Sequence, residues 1–362
     1  MRDYDVIHFE ALGAEAEHLK EETEKSIEAG RLPSGLRYLI TPDNLQDYLQ
    51  QNQDLELPEL ITTKTHSILP EQYLGSGRKS VITRSAGYDH FENLAGEQNI
   101  TSLREYCVGS VAQTAIKLMY ACCGFLNHYT MNTRTFERNK SISFMELDKN
   151  RVATVYGVGK IGKRVYELLE GNGLTVQAVD VREQELREQY GNSVHFVSKE
   201  QAAATSDIVI CTMNLTRNPN SRFYNVNYFS KEYLSTFKKK IMFINVTRGD
   251  IAPEATLLEL YQSGKILGIG LDVFSDEEGF SKALRGQSAW TEADHKAAKQ
   301  LLETAIERTG NVYVQPHQAF NSDVAAQSKA ENTIVHMEAW YRNGGKCFDE
   351  QLPYYQEVLV QA

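Results

Sequence analysis

The stretch that most constrains this chain runs from Val152 to Asp180. An apolar run, residues 152–156, leads into Gly157-Val158-Gly159-Lys160-Ile161-Gly162. An amphipathic stretch over 160–170 leads out, and a second apolar run, 174–179, ends at Asp180. That order predicts strand, tight turn and helix, the context that separates a G-x-G-x-x-G from a chance match. Gly157 then permits the turn, Gly159 lets the backbone approach a pyrophosphate, and Gly162 lets helix and strand pack closely. The pyrophosphate would rest on the free N–H groups at the helix N-terminus. Asp180 is placed to accept hydrogen bonds from a ribose diol. A glycine turn that binds nothing needs neither the second strand nor its terminal acid.

At 362 residues the chain has room for two domains and a large core. Its composition, 41% apolar and 24% charged, is that of an ordinary globular protein. The net charge of −10 argues against a nucleic-acid or anionic-membrane partner and leaves a small anionic substrate open. The five cysteines (Cys107, Cys122, Cys123, Cys211 and Cys347) include no C-x-x-C pair. They read as reduced thiols of a cytoplasmic protein, with neither a disulfide framework nor a metal site. Met1-Arg2-Asp3-Tyr4-Asp5 has no signal-peptide pattern. The most apolar long stretch, 111–126, is too short to span a bilayer and carries Gln113 and Lys117, so it predicts a buried helix.

Short apolar runs at 6–9, 37–40, 60–63 and 80–83 alternate with helical stretches at 14–29 and 44–51. Alternating strands and helices imply a parallel sheet. A long helical pattern over 103–129 and a polar stretch over 132–150 interrupt the rhythm. A second series follows, with strands at 152–156, 175–179, 208–211, 241–245, 266–271 and 312–314. Its helices fit 183–190, 253–263 and 292–308, and a tail helix fits 323–342. The expected fold class is α/β, with two doubly wound parallel-sheet domains. One is a Rossmann dinucleotide-binding domain over 109–321. The other is a smaller, flavodoxin-like substrate domain built from 1–108 and the returning segment 322–362.

Three more segments lie at strand ends of the second series, where open parallel sheets place their ligands. Arg248 follows the strand in Ile244-Asn245-Val246-Thr247-Arg248-Gly249, a rigid cationic fork suited to a carboxylate. Acids cluster in Asp272-Val273-Phe274-Ser275-Asp276-Glu277-Glu278, and His317 follows a strand and Pro316. Each alone has the composition of a surface loop. Together they supply what hydride transfer to a carbonyl needs: a group to hold and polarise, one to supply a proton, one to tune it.

In order and spacing, the glycine turn with Asp180, the Asn245–Gly249 segment, Leu271-Asp272-Val273-Phe274 with Glu277, and Pro316-His317 resemble the D-isomer-specific 2-hydroxyacid dehydrogenases. Thr83-Arg84-Ser85-Ala86-Gly87-Tyr88-Asp89 resembles the family's substrate loop, and His317-Gln318-Ala319-Phe320 its D-lactate dehydrogenase branch. The resemblance implies an NAD-dependent oxidoreductase that interconverts a 2-oxo acid and its D-2-hydroxy acid. It implies that His317 exchanges the proton with the substrate oxygen, that Glu277 pairs with it and favours its protonated form, and that Arg248 binds the carboxylate. The backbone N–H groups of Ala86 and Gly87 would complete the carboxylate site, with Tyr106 bordering the substrate. On the cofactor side it implies Gly157, Gly159, Lys160, Ile161, Gly162, Asp180, Val181, Arg182, Thr212, Met213, Asn214, Val246 and Thr247. Asp272 would hold the nicotinamide carboxamide. A homodimer is expected. Departures include Gln113 where glutamate is usual, Glu278 where proline is common, and a longer segment between Glu277 and His317 with Trp290 and an extra helix. A glyoxylate or hydroxypyruvate reductase, and a nucleotide-sensing regulatory protein on the same fold, are the alternative readings.

Overall fold

The computed structural model describes residues 3–138 and 142–355. They divide into two compact units. The first joins the described residues up to Cys107 to those from Asn321 onward, and the second is Val108–Phe320.

The first unit holds a five-stranded parallel sheet of β1 (Val6–His8), β2 (Tyr38–Ile40), β3 (Leu60–Thr63), β4 (Ser80–Thr83) and β5 (Asn99–Ser102). Its order is β2-β1-β3-β4-β5, the flavodoxin-like arrangement. β1, β3, β4 and β5 are buried throughout, which is why most read as unbroken apolar or β-branched runs. β5 was not expected from sequence, because Asn99, Thr101 and Ser102 give it no apolar signature. The helix Ala325–Arg342 packs within this unit against the helix Gly13–Glu28, where Ser26 Oγ and Arg31 Nε both donate to Glu338 Oε1 at 2.7 Å. Ile334, Met337 and Trp340 of that helix share a core with Val6, Leu60 and Ile82.

The second unit is built on β6 (Val152–Tyr156), β7 (Thr175–Val179), β8 (Ile208–Cys211), β9 (Ile241–Asn245), β10 (Ile266–Leu271) and β11 (Val312–Val314). The order is β11-β10-β9-β8-β6-β7, all parallel. A single-residue parallel bridge from Ala178 to Phe196 extends the sheet beyond β7. With it the sheet has the doubly wound Rossmann order, and the switch point lies between β6 and β8. The expected helix over 103–129 is two helices, Val108–Cys123 and Leu126–Asn132, broken at Phe125, whose φ is 48°. The extra helix before His317 is Glu277–Leu284, and the Trp290 ring lies 5.9 Å from that of Phe280.

Candidate active site

The glycine turn leaves β6 at the switch point. Gly157 has φ 86°, and a Cβ there would sit 2.8 Å from the Cα of Met213. A Cβ on Gly162 would sit 2.0 Å from the carbonyl oxygen of Gly157. Thr212 Oγ1 donates to that same carbonyl at 2.6 Å. Thr212 and Met213 are thus packed directly on the turn, while Asn214 is turned into its own loop, its Nδ2 on the Leu215 carbonyl at 3.0 Å. Gly159 differs: a Cβ there would meet no atom within 4 Å. Gly159 is also the N-cap of the helix Lys160–Gly171 and supplies no side-chain cap. Open space at a helix N-terminus without a side-chain cap fits a pyrophosphate.

Asp180, at the end of β7, accepts from Val158 N at 2.7 Å through Oδ2 and from Arg182 N at 2.8 Å through Oδ1. Its carboxylate is therefore oriented by the glycine turn and keeps lone pairs for ribose hydroxyls. Val181 is largely exposed, and Arg182 Nε lies 3.7 Å from Asp180 Oδ1.

At the end of β9, Asn245 organises the loop that carries Arg248. Its Oδ1 accepts from Thr247 N and Oγ1 at 3.1 and 3.0 Å, and its Nδ2 donates to the Arg248 carbonyl at 2.8 Å. Val246 is buried, and Arg248 Nη1 donates to the Thr247 carbonyl at 2.8 Å. Sequence reading quoted Asn245 without a role; a polar residue closing a fully buried strand was the available signal.

The acid and the histidine meet. His317 Nδ1 and Glu277 Oε2 are 2.8 Å apart, with the two side chains 37% and 41% exposed. Glu277 Oε1 also accepts from Phe274 N at 3.2 Å. With Nδ1 on Glu277, Nε2 is the ring nitrogen left for a substrate. His317 has φ 51°, a left-handed conformation uncommon for a residue other than glycine. Asp272 imposes it. Its carbonyl accepts from His317 N at 2.7 Å, Oδ1 accepts from Gln315 Nε2 and Gln318 N at 2.9 Å, and Oδ2 accepts from Ala319 N at 2.9 Å. Asp272 is wholly buried, and burial pushes its carboxyl above the usual range while these donors pull it back. The same carboxylate thus holds the turn that presents His317, and Oδ2, which accepts a single bond, keeps a lone pair for the carboxamide it is expected to hold. Gln315, directly after β11, was likewise quoted without a role.

In the first unit, β4 runs into Arg84, which is fully buried and donates to Glu15 Oε1 at 2.9 Å, to Thr62 Oγ1 and to the Phe9 carbonyl. Ser85 Oγ donates to the Gly87 carbonyl at 2.7 Å, which fixes the Ala86-Gly87 loop. Tyr106 lies beneath Lys329 Nζ, 4.9 Å from the ring centroid.

Residues 116–319 match the model of the D-isomer specific 2-hydroxyacid dehydrogenase, NAD binding domain. The chain belongs to this family. Its cofactor is NAD, and it is an oxidoreductase of the D-2-hydroxyacid dehydrogenase class. Among characterised relatives, a D-specific alpha-keto acid dehydrogenase of Enterococcus faecium is 25% identical over 268 residues, covering 72% of this chain and 74% of that one. A glycerate dehydrogenase of Methylorubrum extorquens is 26% identical over 271 residues, covering 72% and 76%. The fold matches that of a D-lactate dehydrogenase from Aquifex aeolicus, solved with NAD and lactic acid, with a TM-score of 0.71, 23% identity and coverage of 99% and 100%. Among the described residues, no group of side chains suits a metal ion and no helix is long and apolar enough to cross a membrane.

Proposed function

We propose that this dehydrogenase reduces a 2-oxo acid to the (R)-2-hydroxy acid in the manner of a D-lactate dehydrogenase. The observation that carries the reading is the His317–Glu277 pair, 2.8 Å apart, beyond the sheet that bears the glycine turn. Bound NADH supplies the hydride. Arg248 anchors the substrate carboxylate and polarises the carbonyl with a planar two-pronged donor. His317, held through Nδ1 by Glu277, gives its Nε2 proton to the carbonyl oxygen during reduction and takes it back during oxidation. Gly157, Gly159, Lys160, Ile161 and Gly162 seat the pyrophosphate, and Asp180 with Val181 and Arg182 holds the adenosine ribose. Thr212, Met213, Asn214, Val246, Thr247 and Asp272 line the cofactor, while Ala86, Gly87 and Tyr106 are assigned to the substrate.

Similarity to a glycerate dehydrogenase at the same level of identity supports a second reading, reduction of glyoxylate or hydroxypyruvate. NADH oxidation against 2-oxo acids of differing size and charge, with chiral analysis of the product, decides between them. Fast turnover of pyruvate or larger apolar 2-oxo acids to the (R) product is expected. No turnover of any 2-oxo acid, or an (S) product, refutes the proposal. A homodimer is supported by exposed apolar side chains along one segment of the second unit, Tyr120, Leu126, Tyr129, Phe136 and Phe144. The five free cysteines suit the reducing cytoplasm.

A further inference from the structure

The turn that carries Glu277 is held from outside the His317 pair. Ser275 N donates to Glu254 Oε1 at 2.7 Å. Glu254 opens the helix Glu254–Gln262 and is 1% exposed, and its second oxygen, Oε2, is buried with no hydrogen-bond partner among the described residues. A Cβ on Gly249, the residue after Arg248, would lie 2.0 Å from Ser275 N and 2.1 Å from the Phe274 carbonyl carbon. The Arg248 loop is therefore seated on the backbone of Phe274 and Ser275. Beyond Ser275, Asp276 has φ 41°, accepts from Gly279 N at 3.2 Å and lies 3.5 Å from His295 Nε2. The chain from Ser275 back to Phe274 then reaches Glu277 itself, through the Phe274 N–H.

We propose that Glu254 is a positioning residue: by holding the Ser275 amide it keys the Glu277 turn to the Arg248 loop. The substrate anchor and the proton-transfer pair then keep one spacing. The proposal rests on the roles given above to Arg248, Glu277 and His317. A buried carboxyl with one unpartnered oxygen costs free energy that an apolar side chain would not. The return visible on this carboxyl is its bond to Ser275. Burial pushes the Glu254 carboxyl up to about 7, and Asp294 adds to the rise. The charged or titratable groups around this turn are Asp294, whose Oδ1 accepts from Ala255 N at 2.9 Å, His295, Asp276 and Glu277, with His317 beyond. Near neutrality Glu254 is divided between acid and carboxylate. Either form accepts through Oε1, and the carboxylate does so more strongly.

The test compares Glu254→Ala, Glu254→Asp and Glu254→Gln by thermal melting, NADH titration, and reduction of the wild type's fastest 2-oxo acid from pH 5.5 to 9. In Ala and Asp, kcat should fall ~10-fold, the scale of one lost hydrogen bond to a charged group. The KM for the 2-oxo acid should rise, the pH profile should shift, and NADH affinity should hold. Gln keeps the Oε1 acceptor and should retain the wild-type rate within about 3-fold. Lower melting temperatures with unchanged kcat, KM and pH profile would overturn the proposal, as would a Gln variant as damaged as Ala. Should Glu254→Ala not fold, Glu254→Asp carries the same outcomes, since it keeps the charge but withdraws it from Ser275. Failure of the underlying reading shows separately, as undiminished turnover in His317→Ala.

Discussion

Gly162 and Gly159 lie three residues apart in one turn, yet adding a methyl to each should do opposite things. In Gly162→Ala the new Cβ falls 2.0 Å from the Gly157 carbonyl oxygen and 2.7 Å from Thr212 Oγ1. Ordinary contact needs roughly 3.4 Å or more, and the nearest obstacle is backbone, so β6 and its helix must separate. Overpacking of this kind costs about 2–3 kcal/mol. For a unit of this size that lowers the melting temperature of the cofactor-free protein by roughly 5–10 °C. In Gly159→Ala the new Cβ meets nothing within 4 Å, and the φ of −71° suits alanine. A poorer N-cap and a stiffer unfolded chain roughly cancel, so stability should stay within about 0.5 kcal/mol of wild type. NADH affinity should nevertheless fall ~10–100-fold, because the methyl occupies the space assigned to the pyrophosphate. Melting of the cofactor-free protein and NADH fluorescence titration separate the two effects. A destabilised Gly159→Ala, or one that binds NADH as tightly as wild type, would refute the assignment of that space.

His317→Ala should lower kcat by roughly 10²–10⁴-fold with NADH affinity unchanged, measured by single-turnover hydride transfer; loss of affinity instead would make His317 structural. Asp180 should make catalytic efficiency with NADH far exceed that with NADPH, since its carboxylate repels a 2′-phosphate; parity would mean that Arg182, beside it, dominates. His8 predicts acid lability. It is fully buried, with Nδ1 on Thr62 Oγ1 at 2.9 Å, and burial, with Arg84 nearby, drops it to about 3. It is neutral when folded but protonated when unfolded below pH 6.5, so its contribution is lost as pH falls, by roughly 1.4 kcal/mol per unit between pH 6.5 and 5. Glu254, raised to about 7, works in the opposite direction over that window. The readout is therefore the difference in urea stability between wild type and His8→Asn, and an unchanged difference from pH 6.5 to 5 would exclude the effect.

The fold class was legible because most strands of a two-sided parallel sheet are continuous apolar runs, and the glycine turn, Arg248, Glu277 and His317 each sit next to one. β5 escaped because its buried residues are Asn99, Ile100, Thr101 and Ser102. The bridge at Phe196 escaped because one residue leaves no periodicity. The short helices Lys199–Thr205 and Lys231–Thr236 escaped for want of enough turns, although Ser198 and Ser230 each cap one. At the site, what could not be read was what holds the functional groups. Asp272 with Gln315, and Glu254 with Ser275, are contacts between residues 43 and 21 positions apart, made only once the sheet has formed. Neither side chain advertises its partner in the chain around it.

The route of the chain through its two units sets an order of events during synthesis. Among the described residues the second unit is one continuous stretch and can close as soon as it emerges. The first cannot, because Ile334, Met337, Trp340 and Phe348, which complete its core around Val6, Leu32, Leu60 and Ile82, are made after the second unit. Roughly two hundred residues separate its two pieces. At about 5–20 residues per second its N-terminal half waits on the order of 10–40 s with an open apolar face. That interval is when chaperones would find it.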